Sequence, residues 1–104
     1  MISYRVVVVP EAKEQFKDYL AYIVNHLMNV EAALAVADDY DETIAALENN
    51  AGSIKICDEP ELARRKLRKI HFRRHNYIML YRIKDDIVEV VKIYHTLEDY
   101  ENKI

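Results

Sequence analysis

The apolar residues of this chain keep one period up to about residue 50 and another from about residue 66, and that switch restricts the folds open to it. Phe16, Tyr19, Leu20, Ile23 and Leu27 recur at helical spacing, which predicts an amphipathic helix over residues 11–28. Asn29 is placed to cap a second helix, with Glu31 favourable in its first turn. Along that helix Ala33, Ala37, Tyr40, Ile44 and Leu47 follow a 4-3-4-3 stripe, and it ends near Asn49, Asn50 and Gly52. The two helices read as an antiparallel hairpin. Ahead of them, Ser3 to Val9 is largely β-branched and apolar and stops at Pro10, a residue suited to the first position of a helix.

The later period is two. Lys66 to Arg74, Asn76 to Lys84 and Ile87 to His95 read as three strands, with Asp85-Asp86 as the plainest turn. Alternation in the first of these directs Ile70 and Phe72 towards the helices and Lys69, His71 and Arg73 to the other face. The third strand is apolar enough to lie inside a sheet. The expected fold is α+β: a β-α-α-β-β-β order with the helical hairpin on one face of a largely antiparallel sheet.

With 104 residues the chain is long enough for one core, and we read residues 1–104 as a single domain. Gly and Pro together number three, so regular elements dominate, which argues against disorder and low complexity. Cys57 is the one cysteine, which leaves no internal disulfide and suits a reducing compartment. No stretch approaches the ~20 apolar residues that span a bilayer, and no secretory leader is visible. The expectation is a cytoplasmic protein without membrane contact.

Charge is unevenly placed. Between Ala63 and Asp85 stand nine Lys/Arg residues, with His71 and His75, and no Asp or Glu, in a chain of formal charge −3. From Glu11 to Glu48 there are nine Asp/Glu against Lys13 and Lys17. A concentrated positive segment steers polyanions even on a mildly acidic protein, so nucleic acid or an acidic protein segment is the expected partner.

The order of elements and several local signatures resemble the RelE/ParE superfamily of toxins from bacterial type II toxin–antitoxin pairs. The matching pieces are the opening strand with Pro10-Glu11-Ala12, the hairpin, Lys66-Leu67-Arg68-Lys69-Ile70, Asn76-Tyr77-Ile78-Met79-Leu80-Tyr81-Arg82-Ile83, and Val90-Val91-Lys92-Ile93-Tyr94-His95. The resemblance implies a growth-inhibiting toxin silenced by a cognate antitoxin. RelE-like and YoeB-like members cut messenger RNA on the ribosome, whereas ParE-like members poison DNA gyrase.

Metal-independent RNA cleavage needs a base for the 2′-OH, an acid for the leaving oxygen and cations for the developing charge. The resemblance places basic residues of RelE-like enzymes at Lys69 and His71, a YoeB-like histidine at His95, and a YoeB-like glutamate at Glu61. Tyr100 lies near a functional tyrosine of RelE-like chains. On this reading His95 transfers the proton, Glu61 is the second candidate, and Lys69, Arg73 and Arg74, with Arg68 beside them, hold phosphate. No cofactor is required. The sequence departs from the nuclease pattern at Ile78, Leu97 and Thr96, where those branches carry two arginines and a tyrosine.

Each residue also has a plainer reading. Basic residues on strands are often a solvated face or edge protection, and an antitoxin's acidic segment needs a docking place. His71 and His75 are about 13 Å apart on a strand, too far to share a metal. His26 is a surface residue at a helix end; Tyr19, Tyr40, Tyr77 and Tyr81 fall at core spacing; acid beside Cys57 opposes a thiolate. Among activities the open basic face favours ribosome-dependent mRNA cleavage. The alternatives are gyrase inhibition, favoured by the long hairpin and by Ile78, and a non-toxic relative that only binds its antitoxin.

Overall fold

A computed structural model describes residues 3–97 of the chain. Strand β1 (Arg5–Val8) leads directly into helix α1 (Pro10–Asn25), which Pro10 opens at its first position. Helix α2 (Val30–Asn50) follows and runs into a 3-10 turn at Ala51–Ser53. A short helix α3 (Pro60–Arg64) precedes three strands, β2 (Arg68–His71), β3 (Tyr77–Lys84) and β4 (Ile87–His95). The sheet order is β1-β4-β3-β2, with β1 parallel to β4 and the other neighbours antiparallel. The α+β class and the expected element order therefore hold, and α3 is an addition to them.

Local chemistry explains the boundaries. Helix α1 stops at Asn25 rather than 28 because the chain must reverse: Met28 takes φ 52°, and Asn29 Oδ1 accepts the Ala32 N–H at 3.0 Å, starting α2 where expected. Strand β2 is shorter than its alternation predicts. Lys66 has φ 57°, and beyond His71 the chain leaves the sheet for a turn closed by Phe72 N–H to the Tyr77 carbonyl at 2.9 Å. Asp85, at φ 58°, makes the β3–β4 turn, a conformation that Asp tolerates better than most residues. A Cβ at Gly52 would collide with the Tyr4 hydroxyl, so a larger residue just after α2 requires the Tyr4 side chain to move.

The sheet is covered on both faces, which corrects the expectation of an open one. Tyr77, Met79 and Tyr81 of β3 pack towards the hairpin with Phe16, Val36, Leu47, Phe72, Val88, Val90 and Ile93. Phe16 stacks on Tyr40 with ring centroids 4.4 Å apart, and Tyr81 donates its hydroxyl to the Ala51 carbonyl at 2.9 Å. Burial pushes the Tyr81 phenol up to about 12. The alternate residues of β3, Ile78 and Leu80, enter a second cluster with Cys57, Leu62, Leu67 and Tyr94. That cluster exists because α3 and its flanking segments fold over the face opposite the hairpin.

Candidate functional site

Cross-strand register sorts the expected site residues onto two faces. Lys69 lies opposite Leu80 and His71 opposite Ile78, so both share the face of the second cluster. His95 lies opposite Tyr77, on the hairpin side. Its ring meets Tyr77 edge-on at 5.2 Å, its backbone N–H donates to the Tyr19 hydroxyl at 3.2 Å, and its Nδ1 accepts the Leu97 N–H at 3.2 Å. His95 borders an apolar hollow of about 490 Å³ with Asp18, Tyr19, Tyr22, Leu27, Tyr77 and Leu97. It does not share a site with His71 or Lys69.

The other candidates are engaged separately. Lys69 Nζ is 2.9 Å from Glu59 Oε2, and Arg64 donates to both oxygens of Glu61 at 2.7 and 2.5 Å. Arg68 donates to the carbonyls of Ile54 at 2.6 Å and Gly52 at 3.3 Å. Arg74 pairs with Glu42 at 2.9 Å. Arg73 is exposed in the turn after β2, so it does not continue the strand face on which it was expected. Tyr100 lies outside the described residues. Ile78, where nuclease branches carry arginine, is 2 % exposed in the second cluster. His71 and Lys69 share a hollow of about 250 Å³ with Lys55, Asp58 and Glu59, and His71 also borders one with Glu42 and Arg73, but His95 lines neither of them and Glu61 is not among their lining residues.

Burial raises the pKa of Cys57, and neighbouring Glu59 adds to this, so the thiol stays protonated near neutral pH. Among the described residues no group of three potential metal ligands forms, and no helix is long and apolar enough to cross a membrane.

Two features escaped the sequence reading. Asp39, 0 % exposed on α2, accepts the backbone N–H groups of Arg73 at 3.1 Å and Arg74 at 2.9 Å, and lies 2.8 Å from His75 Nδ1. Burial by itself raises its pKa, but the His75 and backbone hydrogen bonds outweigh burial and hold it below the ordinary carboxylate range. One side chain thus pins the most basic turn of the chain to the hairpin. The signal was available: Asp39 sits between Val36 and Thr43 on the buried stripe of α2, where an unpaired carboxylate would be too costly to keep. The second feature is a cleft of about 640 Å³ lined by Arg65, Lys66, Arg82, Ile83, Lys84, Ile87 and Glu89, at the far end of β4 from His95.

Comparisons agree with this architecture. The profile of the family described as "ParE toxin of type II toxin-antitoxin system, parDE" matches residues 6–100. A solved chain described as "Chromosomal ParDE TA system from P. aeruginosa" is similar in fold, with TM-score 0.72 and 17% identity over 89% of this chain and 96% of that one. No curated protein sequence matches. The match spans nearly the whole length, and the chain belongs to the ParE toxin family of type II toxin–antitoxin systems.

Proposed function

We propose that this chain arrests growth by binding and disabling DNA gyrase, without cleaving RNA, and that a separately encoded antitoxin silences it. The observation that carries this reading is the scatter of the would-be cleavage groups. His95 stands on one face of the sheet, His71 and Lys69 on the other, and Ile78 is a core residue. Cleavage needs these groups within hydrogen-bond reach of one phosphate, whereas a binding toxin needs only a surface. Membership of the ParE family and the long hairpin favour the same conclusion.

Mutation of His95 separates the readings in cells. With the antitoxin absent, His95→Ala should arrest growth as strongly as the parent chain, induce a DNA-damage reporter and leave a translated message uncut. Loss of arrest in a folded His95→Ala protein, or discrete cuts in the message, would return the ribosome-dependent nuclease to first place.

The hairpin turn offers the antitoxin an apolar contact. Tyr22, Leu27, Met28, Val30, Leu34 and Leu97 are exposed, Met28 by 81% and Leu97 by 88%. Residues of this kind grouped on a surface mark an interaction site. A contact of this chemistry, on a chain of net charge −3, should be insensitive to screening. Toxin–antitoxin affinity is accordingly expected to change by less than about tenfold between low and high salt, measured by titration of the purified pair. A steep fall with salt would contradict the apolar contact.

A further inference from the structure

The pairing pattern shows where the positive segment remains available. Arg64, Arg68, Lys69 and Arg74 are taken up by Glu61, backbone carbonyls, Glu59 and Glu42, and Arg82 pairs with Glu89 at 2.9 Å. Among the described residues, Arg65, Lys66, Arg73 and Lys84 form no ion pair and are exposed; Arg65, Lys66 and Lys84 line the same cleft, whereas Arg73 stands apart in the turn after β2. With Arg82 they place four cations around it against one carboxylate, Glu89. Asp85 and Asp86 lie in the adjoining turn but do not line it.

The geometry is built rather than accidental. Lys66 is held at φ 57° by its own N–H to the Ala63 carbonyl at 2.9 Å, and the next residue, Leu67, is buried in the second cluster. This anchors Arg65 and Lys66 beside the end of β3, where Arg82 and Lys84, two residues apart, share a face. The cleft and the apolar hollow at His95 sit at opposite ends of β4, roughly 26 Å apart along the strand. An antitoxin seated on the hairpin turn leaves the cleft open.

We propose that the Arg65–Lys66–Arg82–Lys84 cleft binds the phosphate backbone of duplex DNA. The site is a sequence-independent electrostatic clamp. Its cations lie on two separate elements flanking an open groove, and no buried donor set reads an individual base or side chain. It deepens the gyrase reading, on which it rests only for the setting in which the toxin meets the duplex: DNA is the substrate of that enzyme. The clamp gives the toxin a second, weak hold on the enzyme–DNA complex.

Anisotropy of a labelled duplex of about 20 base pairs, titrated with the full chain, tests it. Neutralising about three phosphates predicts a slope of about −2.7 in log affinity against log salt, or roughly a 40-fold loss between about 50 and 200 mM. The variant Arg65→Ala/Lys66→Asn/Lys84→Ala should bind at least about tenfold more weakly at low salt, with a flattened slope. Asparagine is chosen at Lys66 because it accepts the left-handed backbone. A control that removes as many cations elsewhere, Lys13→Ala/Lys17→Ala/Arg73→Ala, should stay within about threefold of the parent. If the triple variant does not fold, Lys84→Ala alone should reduce the slope by about one.

Equal losses in variant and control, or no salt-dependent duplex binding, would overturn the proposal. So would capture of a poly-glutamate peptide in preference to the duplex, which would make the cleft a docking place for an acidic protein segment. The two readings fail separately. Gyrase inhibition without duplex binding removes the clamp alone, and duplex binding without gyrase inhibition removes the gyrase reading alone.

Discussion

Asp39→Ala is expected to destabilise the fold by about 3 kcal/mol at neutral pH, because it strips the partner from three donors at once. The backbone N–H groups of Arg73 and Arg74 and the His75 ring converge on this carboxylate, which has no exposed surface of its own. Asp39→Asn keeps an acceptor oxygen but loses the charge, so it should lie between the two. Urea unfolding of the three proteins measures the differences.

The same side chain makes stability depend on pH with a definite sign. Its folded pKa lies below its ordinary value near 3.8, so its contribution is complete above about pH 4. It is lost as pH falls through the lowered native value. The stability gap between parent and Asp39→Asn should therefore be full at pH 7 and narrow in strong acid. A gap that held constant from neutral pH to about pH 2 would contradict the role given to Asp39.

Ile78→Arg is expected to act even more strongly, and in the direction opposite to a gain of function. It inserts the arginine that nuclease branches carry, yet the position is 2 % exposed among Cys57, Leu62, Leu67, Leu80 and Tyr94. The cluster is apolar and the nearest carboxylate of that face, Glu59, is already paired with Lys69, so the guanidinium would have to compete for Glu59, be buried unpaired or force the α3 segment off the sheet. A loss of about 4 kcal/mol or more follows, seen as a protein that is largely unfolded or insoluble. Ile78→Val, which removes one methylene, should reduce stability by about 1 kcal/mol and leave toxicity intact. A folded Ile78→Arg chain that cut a translated message would overturn both the core assignment and the binding mechanism.

The sequence exposed the large elements because their signals are local. The helical stripes fixed the hairpin, Asn29 marked the start of α2, and the run from Ile87 to His95 marked a strand inside the sheet. Helix α3 has five residues, too few for a period to show. Strand β2 was extended to Arg74 because alternation continues through Phe72. What ends the strand there is Asp39, 35 residues away from Arg74, and no local pattern contains it.

The covered second face was legible and was missed. Tyr77-Ile78-Met79-Leu80-Tyr81 contains no charged residue, and a strand buried on both faces reads as such a run, not as alternation. The site suffered most from this error. A basic segment is visible as a reversal of charge, but which cations remain available depends on Glu42, Glu59, Glu61 and Glu89, each brought in by a different element. The family resemblance supplied the right superfamily. Membership of the ParE family within it rests on the match over residues 6–100, which no short motif of the sequence carries.

Gyrase inhibition is tested by supercoiling of relaxed plasmid by purified gyrase, with and without the toxin. Supercoiling should stop and cleaved DNA accumulate, His95→Ala should act like the parent chain, and prior addition of the antitoxin should abolish the effect. Undiminished supercoiling at toxin concentrations well above those of gyrase, by a folded chain that still arrests growth, would contradict it.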